Sequence, residues 1–180
     1  MRLEDMPLHL SQRASEKQFR MPTASEVNGY ASALGVRFPE KYVSFIVKYA
    51  GHWVAQDVGY PVVYQRIDGK HDAYLHDIGL FLHYDVERDP DNTVRNNRLL
   101  YAEEFGVQSF VPFTSTSVGG EIGFDFSESR AQPKIVNSNI YGGVPDDDDL
   151  ILRPVAATFD DFIGKLITAN EFETKYGAWS

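Results

Sequence analysis

Apolar residues recur at helical spacing in two adjacent stretches near the start of the chain. Residues 27–34 follow Ser25, a residue type that caps helix N-termini, and residues 39–49 place aromatic and aliphatic side chains on one face. Between them, Gly35 suits the positive φ that commonly ends a helix, and Pro39 suits a first helical turn, where no N–H is needed. The pattern therefore predicts two short helices that begin near Ser25 and Pro39 and are joined at Gly35.

Further along the chain, the pattern becomes one that is typical of strands. Residues 121–126 alternate strictly, with Ile122, Phe124 and Phe126 on one face. Apolar runs predict further strands over residues 60–67, 109–113 and 134–136, and one or two strands over residues 73–84. Turn-forming residues, such as the dipeptide Asp68-Gly69, separate these runs, so we expect the strands to pair in an antiparallel manner.

Helical spacing returns twice in the second half of the chain. A polar stretch over 87–97 predicts a loop, and a short helix is predicted over 97–105. Thr158 is expected to cap a last helix, with Asp160-Asp161 at the positive end of its dipole and an apolar stripe over 159–167. The order helix, helix, antiparallel strands, terminal helix predicts an α+β fold, in which helices pack on a mostly antiparallel sheet.

Length and composition limit the class of protein further. A chain of 180 residues with 43% hydrophobic residues is expected to form one globular domain. It has no cysteine, which excludes disulfides and thiolate zinc sites and fits a reducing compartment. Its apolar runs are too short to span a membrane, and the first twenty residues lack the pattern of a secretory signal. We therefore expect a cytoplasmic protein with no membrane partner.

The charge of the chain is acidic and unevenly distributed. The net charge is −9; residues 1–22 carry four basic and three acidic side chains, whereas residues 141–180 carry eight acidic and three basic ones. A surface of this kind repels nucleic-acid phosphates and attracts a basic protein, so we expect no nucleic-acid partner. Improved solubility is the alternative explanation for the acidity.

The most acidic point is the run Asp146, Asp147, Asp148 and Asp149. It follows a Gly-Gly-Val-Pro segment and is therefore predicted to lie in an exposed loop. Carboxylates accept charge-assisted hydrogen bonds, and arginine can bind them in a bidentate manner. The alternative is an acidic loop that only faces water. A calcium site is disfavoured, because the alternating aspartates and central glycine of an EF-hand loop are missing.

Three histidines, His71, His76 and His83, have aspartates nearby and raise the alternative of a metal site. The interval of seven residues between His76 and His83 places them on opposite faces of a continuous strand, and no second ligand motif supports such a site. The sequence also lacks a phosphate-loop lysine and a nucleophile-elbow pattern. We therefore expect no catalytic residue, no bound metal and no cofactor.

Three pieces of the sequence follow one another in a distinctive order. They are Ala33-Leu34-Gly35 followed by Phe38-Pro39-Glu40-Lys41-Tyr42, Val111-Pro112-Phe113 followed by residues 120–125, and Ala156-Ala157-Thr158-Phe159-Asp160-Asp161-Phe162. Together they resemble the SUKH superfamily, the Smi/Knr-like immunity fold. The resemblance divides the chain into an N-terminal extension (residues 1–22), a Smi/Knr-like domain (residues 23–169) and a C-terminal tail (residues 170–180).

The resemblance implies a binding protein that performs no catalysis. It implies an immunity protein of a bacterial contact-dependent or polymorphic toxin system, which neutralises a cognate toxin domain by stoichiometric occlusion. The toxins of such systems include nucleases. The alternative is a scaffold or regulatory module of the Smi/Knr type whose partners are not toxins. We assume a monomer and expect the partner to be basic.

The partner-binding surface is expected around the acidic run. Asp146, Asp147, Asp148 and Asp149 are its centre, and Asp125 and Glu121 on the neighbouring strand are expected to extend it.

Overall fold

A computed structural model of the chain describes residues 8–10, 20–65, 69, 71–117, 120–138 and 152–177. The elements of the first half are β1 (Leu8–Leu10), α1 (Ala24–Ala33), α2 (Glu40–Tyr49), β2 (His52–Val54), β3 (Val58–Gln65) and β4 (His71–Phe81). Those of the second half are a 3₁₀ turn (Pro90–Asn92), α3 (Val94–Glu104), β5 (Phe110–Thr116), β6 (Glu121–Asp125), β7 (Lys134–Ser138), β8 (Leu152–Ala156), α4 (Phe159–Lys165), β9 (Ile167–Thr168) and α5 (Ala169–Tyr176).

Helix α1 begins and ends at residues that are determined by the local sequence. The hydroxyl of Thr23 accepts a hydrogen bond from the amide of Glu26 at 3.2 Å, and the Glu26 carboxylate accepts one from the Thr23 amide at 2.8 Å. This reciprocal capping box begins α1 at Thr23, so the prediction that Ser25 is the cap was wrong by two residues. Gly35 has φ +69°, which confirms that it ends α1 in the left-handed region.

The described strands form a single antiparallel sheet. The order along the main path is β1-β2-β4-β5-β6-β7-β8, and β3 pairs with both β4 and β9. The long strand β4 connects the two parts, because its first half pairs with β3 while its second half pairs with β2 and β5. The predicted α+β fold is therefore confirmed.

Strands β5, β6 and β7 are buried on both faces of the sheet. Neighbouring residues along a strand point to opposite faces, and Val111 and Ile135 belong to a large hydrophobic core, whereas Phe110 and Val136 belong to a smaller one. We call the face of the large core the inner face and the opposite one the outer face. Helices α1, α2 and α4 contribute to the core on the inner face, and α3 covers the outer face through Tyr101.

Packing on the outer face depends on a glycine in β6. The ring of Phe110 contacts that of Tyr101, with 4.7 Å between their centroids. A Cβ atom at Gly123 would lie 2.6 Å from Cε2 of Phe110 and 2.5 Å from the carbonyl oxygen of Val111. Only glycine therefore allows the Phe110 ring to lie across this strand.

Several elements differ from their predictions. Helix α3 begins at Val94 instead of residue 97, because the Thr93 hydroxyl caps it by accepting a hydrogen bond from the Asn96 amide. The predicted loop over 87–97 therefore includes a 3₁₀ turn and the start of a helix. Strands β1, β2, β8 and β9 and helix α5 were not predicted, and β1 lies within the predicted N-terminal extension. Helix α5 lies mostly in the predicted tail, yet its Phe172 is buried.

Candidate functional site

The acidic run expected at the centre of the binding surface, Asp146 to Asp149, lies outside the described residues. The chain enters the segment 139–151 from Ser138 and leaves it at Leu152, and these two residues pair across β7 and β8. Strand β8 is the last strand on the main path of the sheet, so the acidic run is joined to the sheet at this edge.

The two other predicted acidic residues lie at opposite ends of β6. Glu121 pairs with Ser138, next to the start of the acidic segment, whereas Asp125 pairs with Lys134. Four residues along a strand correspond to about 13 Å. The structure therefore brings Glu121, and not Asp125, next to the point where the acidic segment begins.

Asp125 is held in a local turn. Its Oδ1 accepts hydrogen bonds from the hydroxyl of Ser109 at 3.0 Å and from the amide of Ser127 at 2.9 Å, and its Oδ2 accepts one from the hydroxyl of Ser127 at 2.8 Å. This carboxylate stabilises the chain after β6, and its hydrogen-bonding capacity is already largely used within the protein.

Glu121 is not part of an exposed acidic surface, because it is only 8% exposed. It lies on the outer face of the sheet, since it alternates with the inner-face residue Ile122. The Ser138 hydroxyl lies 2.9 Å from the amide of Glu121 and 2.5 Å from the hydroxyl of Tyr101. We call Tyr101, Glu121 and Ser138 the outer polar cluster. The expectation that Glu121 extends the partner-binding surface thus disagrees with its burial beneath α3.

Burial changes the acidity of Glu121. Loss of hydration raises the pKa of the Glu121 carboxyl to about 7, and a hydrogen bond from Tyr101 partly opposes this rise. Its Oε2 atom is buried without a hydrogen-bond partner among the described residues, which adds to the cost of the charged form. Glu121 therefore changes its charge near neutral pH.

A second polar cluster lies on the inner face at the same end of β7. The Asn137 side-chain amide donates a hydrogen bond to the Tyr60 hydroxyl at 2.9 Å and lies 3.3 Å from Nε2 of His76. The rings of Tyr60 and His76 are stacked, with 5.0 Å between their centroids. We call Tyr60, His76 and Asn137 the inner polar cluster. Burial lowers the pKa of His76, which favours a neutral ring that accepts from Asn137.

The two clusters do not form a joint reaction centre. Glu121 and Ser138 point to the outer face, whereas His76 and Asn137 point to the inner face, so the backbone of the sheet separates the carboxyl from the imidazole. A general acid and a general base must both reach the reacting atoms of one substrate, and these two groups lie on opposite sides of the sheet.

The three histidines considered as metal ligands also lie apart. His71 is exposed, His76 belongs to the inner polar cluster, and Nδ1 of His83 accepts a hydrogen bond from the Asp85 amide at 3.1 Å. In the part of the chain that the structure describes, no three His, Cys, Asp or Glu side chains are grouped so that they could hold a metal ion.

Sequence reasoning missed both polar clusters. The signal that could have located them is the pair Asn137-Ser138, two polar residues in succession at the end of an apolar strand. Their partners Tyr60, His76 and Tyr101 come from distant parts of the sequence, so the clusters themselves depend on tertiary structure.

The described residues form an α+β domain in which the sheet separates two buried polar clusters. Residues 21–165 match the sequence model of the SMI1 / KNR4 family (SUKH-1), and the chain belongs to this family. The family is generally a non-catalytic immunity or binding domain, which supports a domain of the immunity or Smi/Knr type with a protein partner. No curated protein matches the sequence. Among the described helices, none has the length and apolar character needed to cross a membrane.

Proposed function

We propose that this chain is an immunity protein that binds a basic toxin domain and neutralises it by covering its active groove. The observation that carries the proposal is the match of residues 21–165 to the SMI1 / KNR4 family (SUKH-1). The net charge of −9 supports a basic partner. The mechanism is stoichiometric occlusion in the cytoplasm, and the chain itself performs no chemistry.

The proposed contact surface is centred on Asp146 to Asp149. In the sequence these four residues lie between Ser138 and Leu152, which pair across the last two strands on the main path of the sheet. They would accept bidentate hydrogen bonds from arginines that otherwise bind nucleic-acid phosphates. Asp125 contributes at most at the margin, because it lies at the other end of β6 and is bonded to Ser109 and Ser127.

The experiment that tests the function is co-expression with the C-terminal toxin domain encoded by the neighbouring gene. We expect the full chain to restore growth and to co-purify with that domain in a one-to-one complex. A complex that forms without restoring growth would favour the scaffold alternative. If neither rescue nor a complex is observed, immunity against that toxin is excluded.

A finer experiment tests the acidic run. Replacing Asp146, Asp147, Asp148 and Asp149 with Asn should lower the association rate about tenfold at low salt and flatten its salt dependence, because electrostatic steering depends on local charge. The control removes four exposed carboxylates that are spread over the surface: Asp57, Glu87, Asp91 and Glu173. If both variants slow association equally, only net charge matters and the acidic run is not the contact surface.

A further inference from the structure

The described residues line a groove of about 510 Å³. Its walls come from the connection between α1 and α2, from α3, and from the loop between β6 and β7. Leu34, Val36 and Phe126 make part of the wall apolar, and Arg98 and Arg130 are also lining residues. The backbone amide of Arg37 donates a 2.7 Å hydrogen bond to the carbonyl of Arg130, which holds two walls together.

Neither arginine of this groove has a carboxylate within ion-pair distance among the described residues. Arg98 donates from one terminal nitrogen to the carbonyl oxygen and the side-chain oxygen of Gln108, both at 3.3 Å. Its Nε atom is buried without a hydrogen-bond partner in the same part of the chain. A buried guanidinium nitrogen without an acceptor has a cost in stability.

The acidic residues near the groove are already engaged. Glu128, which also lines it, forms an ion pair with Lys134 at 2.5 Å, and Asp125 binds Ser109 and Ser127. In the neighbouring groove, lined by Arg37 and Lys41 among others, both of these cations have carboxylate partners. Arg98 and Arg130 are therefore two cations of one groove that have no carboxylate partner among the residues the structure describes, although the chain has a net charge of −9.

A purely structural role explains only part of this arrangement. The position of a Cβ added at Gly35 lies 3.2 Å from one terminal nitrogen of Arg130, so this cation lies beside the C-terminus of α1, where the helix dipole favours positive charge. Arg98 likewise anchors Gln108. Each guanidinium group has five N–H donors, and these contacts account for only some of them.

We propose that the Arg98–Arg130 groove binds a carboxylate-bearing segment of a partner protein, in which an Asp or Glu side chain stands next to an apolar one. Guanidinium groups bind carboxylates in a bidentate manner, and Leu34, Val36 and Phe126 offer apolar surface to the neighbouring side chain. A nucleic acid does not fit, because the acidic exterior repels a long polyanion, whereas a single carboxylate senses charges within about 8–10 Å. The inference holds whether or not the partner is a toxin.

The experiment uses the full chain labelled with ¹⁵N and follows the Nε–Hε signals of Arg98 and Arg130. The probe is acetyl-Leu-Glu amide, and its matched control is acetyl-Leu-Gln amide, which differs only in the charged group. We expect saturable shifts of both arginine signals with the Glu peptide and a dissociation constant of about 1 mM, because so small a probe makes few contacts. The Gln peptide should bind at least about tenfold more weakly.

Variants separate binding from folding. Arg130→Gln changes an exposed residue and should weaken the Glu peptide about tenfold, as should Arg98→Gln if that variant folds. The control is Arg95→Gln on the same helix, outside the groove lining, and it should leave the affinity unchanged. Equal binding of both peptides, or an unchanged affinity in Arg130→Gln, overturns the proposal. Inorganic phosphate that binds as tightly as the Glu peptide overturns it too, since the groove would then be a site for free anions.

Discussion

Alternate residues of strands β6 and β7 point to the two faces of the sheet, and these two faces are stabilised in different ways. On the inner face, Phe124 contacts the rings of Phe38, Tyr42, Phe113, Phe126 and Phe159. On the outer face, a single helix covers a small core around Tyr101 and Phe110. A large core to which three helices contribute therefore contrasts with a small core covered by one helix.

The same contrast applies to the polar clusters. The inner polar cluster is neutral and its amide donates to two acceptors, Tyr60 and His76. The outer polar cluster contains the carboxyl of Glu121, whose pKa is raised to about 7 by burial. The inner polar cluster thus holds an imidazole and the outer one a carboxyl, and acid and base should affect the two faces in opposite directions.

The first prediction, which has the largest expected effect, tests whether the core on the inner face contributes more to stability than the core on the outer face. Phe124→Ala should lower the free energy of unfolding by about 4–5 kcal/mol, because five neighbouring rings lose a contact and cannot easily close the cavity. Phe110→Ala, its matched control on the outer face, should cost about 3 kcal/mol, since Tyr101 can move into the space above Gly123. Urea denaturation of both variants measures the difference. A larger loss for Phe110→Ala would mean that the outer core is the dominant one.

The inner face could be predicted from the sequence, because its signals are local. The alternation Ile122, Phe124, Phe126 predicted one buried face of β6, and all three residues are buried there. The helix ends near Gly35 and Thr158 were equally local, since capping depends on a few consecutive residues.

The outer face could not be predicted in this way. The alternate positions of β6 are Glu121, Gly123 and Asp125, a pattern that indicates a face exposed to water. Glu121 is buried by α3, which is distant from it in the sequence. The sequence of α3 has no strong apolar pattern that would predict a helix covering a sheet. Strand β8 was missed for a related reason, since Arg153 and Pro154 interrupt its apolar pattern while both are exposed.

The second prediction concerns the carboxyl of Glu121. Its pKa is about 4.5 in the unfolded chain and about 7 in the folded protein, so the folded state binds the proton more tightly. Stability from this group is therefore complete below pH 4.5 and is lost as the pH rises through 7. Glu121→Gln should match the wild type near pH 4.5 and exceed its free energy of unfolding by about 3 kcal/mol at pH 8.

Urea denaturation at a series of pH values between 5 and 8 measures this difference. Tyr101→Phe is the matched variant: it keeps the carboxyl but removes the hydrogen bond that favours its charged form, so the loss of stability with rising pH should become steeper. A Glu121→Gln variant that shows the same pH dependence as the wild type would mean that the carboxyl is hydrated and that α3 does not seal the outer face.

The smallest effect, and the one of opposite sign, is expected on the inner face. Burial lowers the pKa of His76 from 6.5, so the unfolded chain takes up a proton before the folded one, and stability falls as the pH drops below 6.5.

His76→Gln should cost about 1 kcal/mol at pH 7 through the altered contact with Asn137, but it should lose less stability on acidification. Tyr60→Phe is the control, because it removes the other hydrogen bond of Asn137 at a similar cost of about 1 kcal/mol and keeps the imidazole. The acid-induced loss should therefore persist in Tyr60→Phe and diminish in His76→Gln. If both variants respond to acid in the same way, the titrating group of the inner face is not His76, and the contrast between the two faces is one of packing alone.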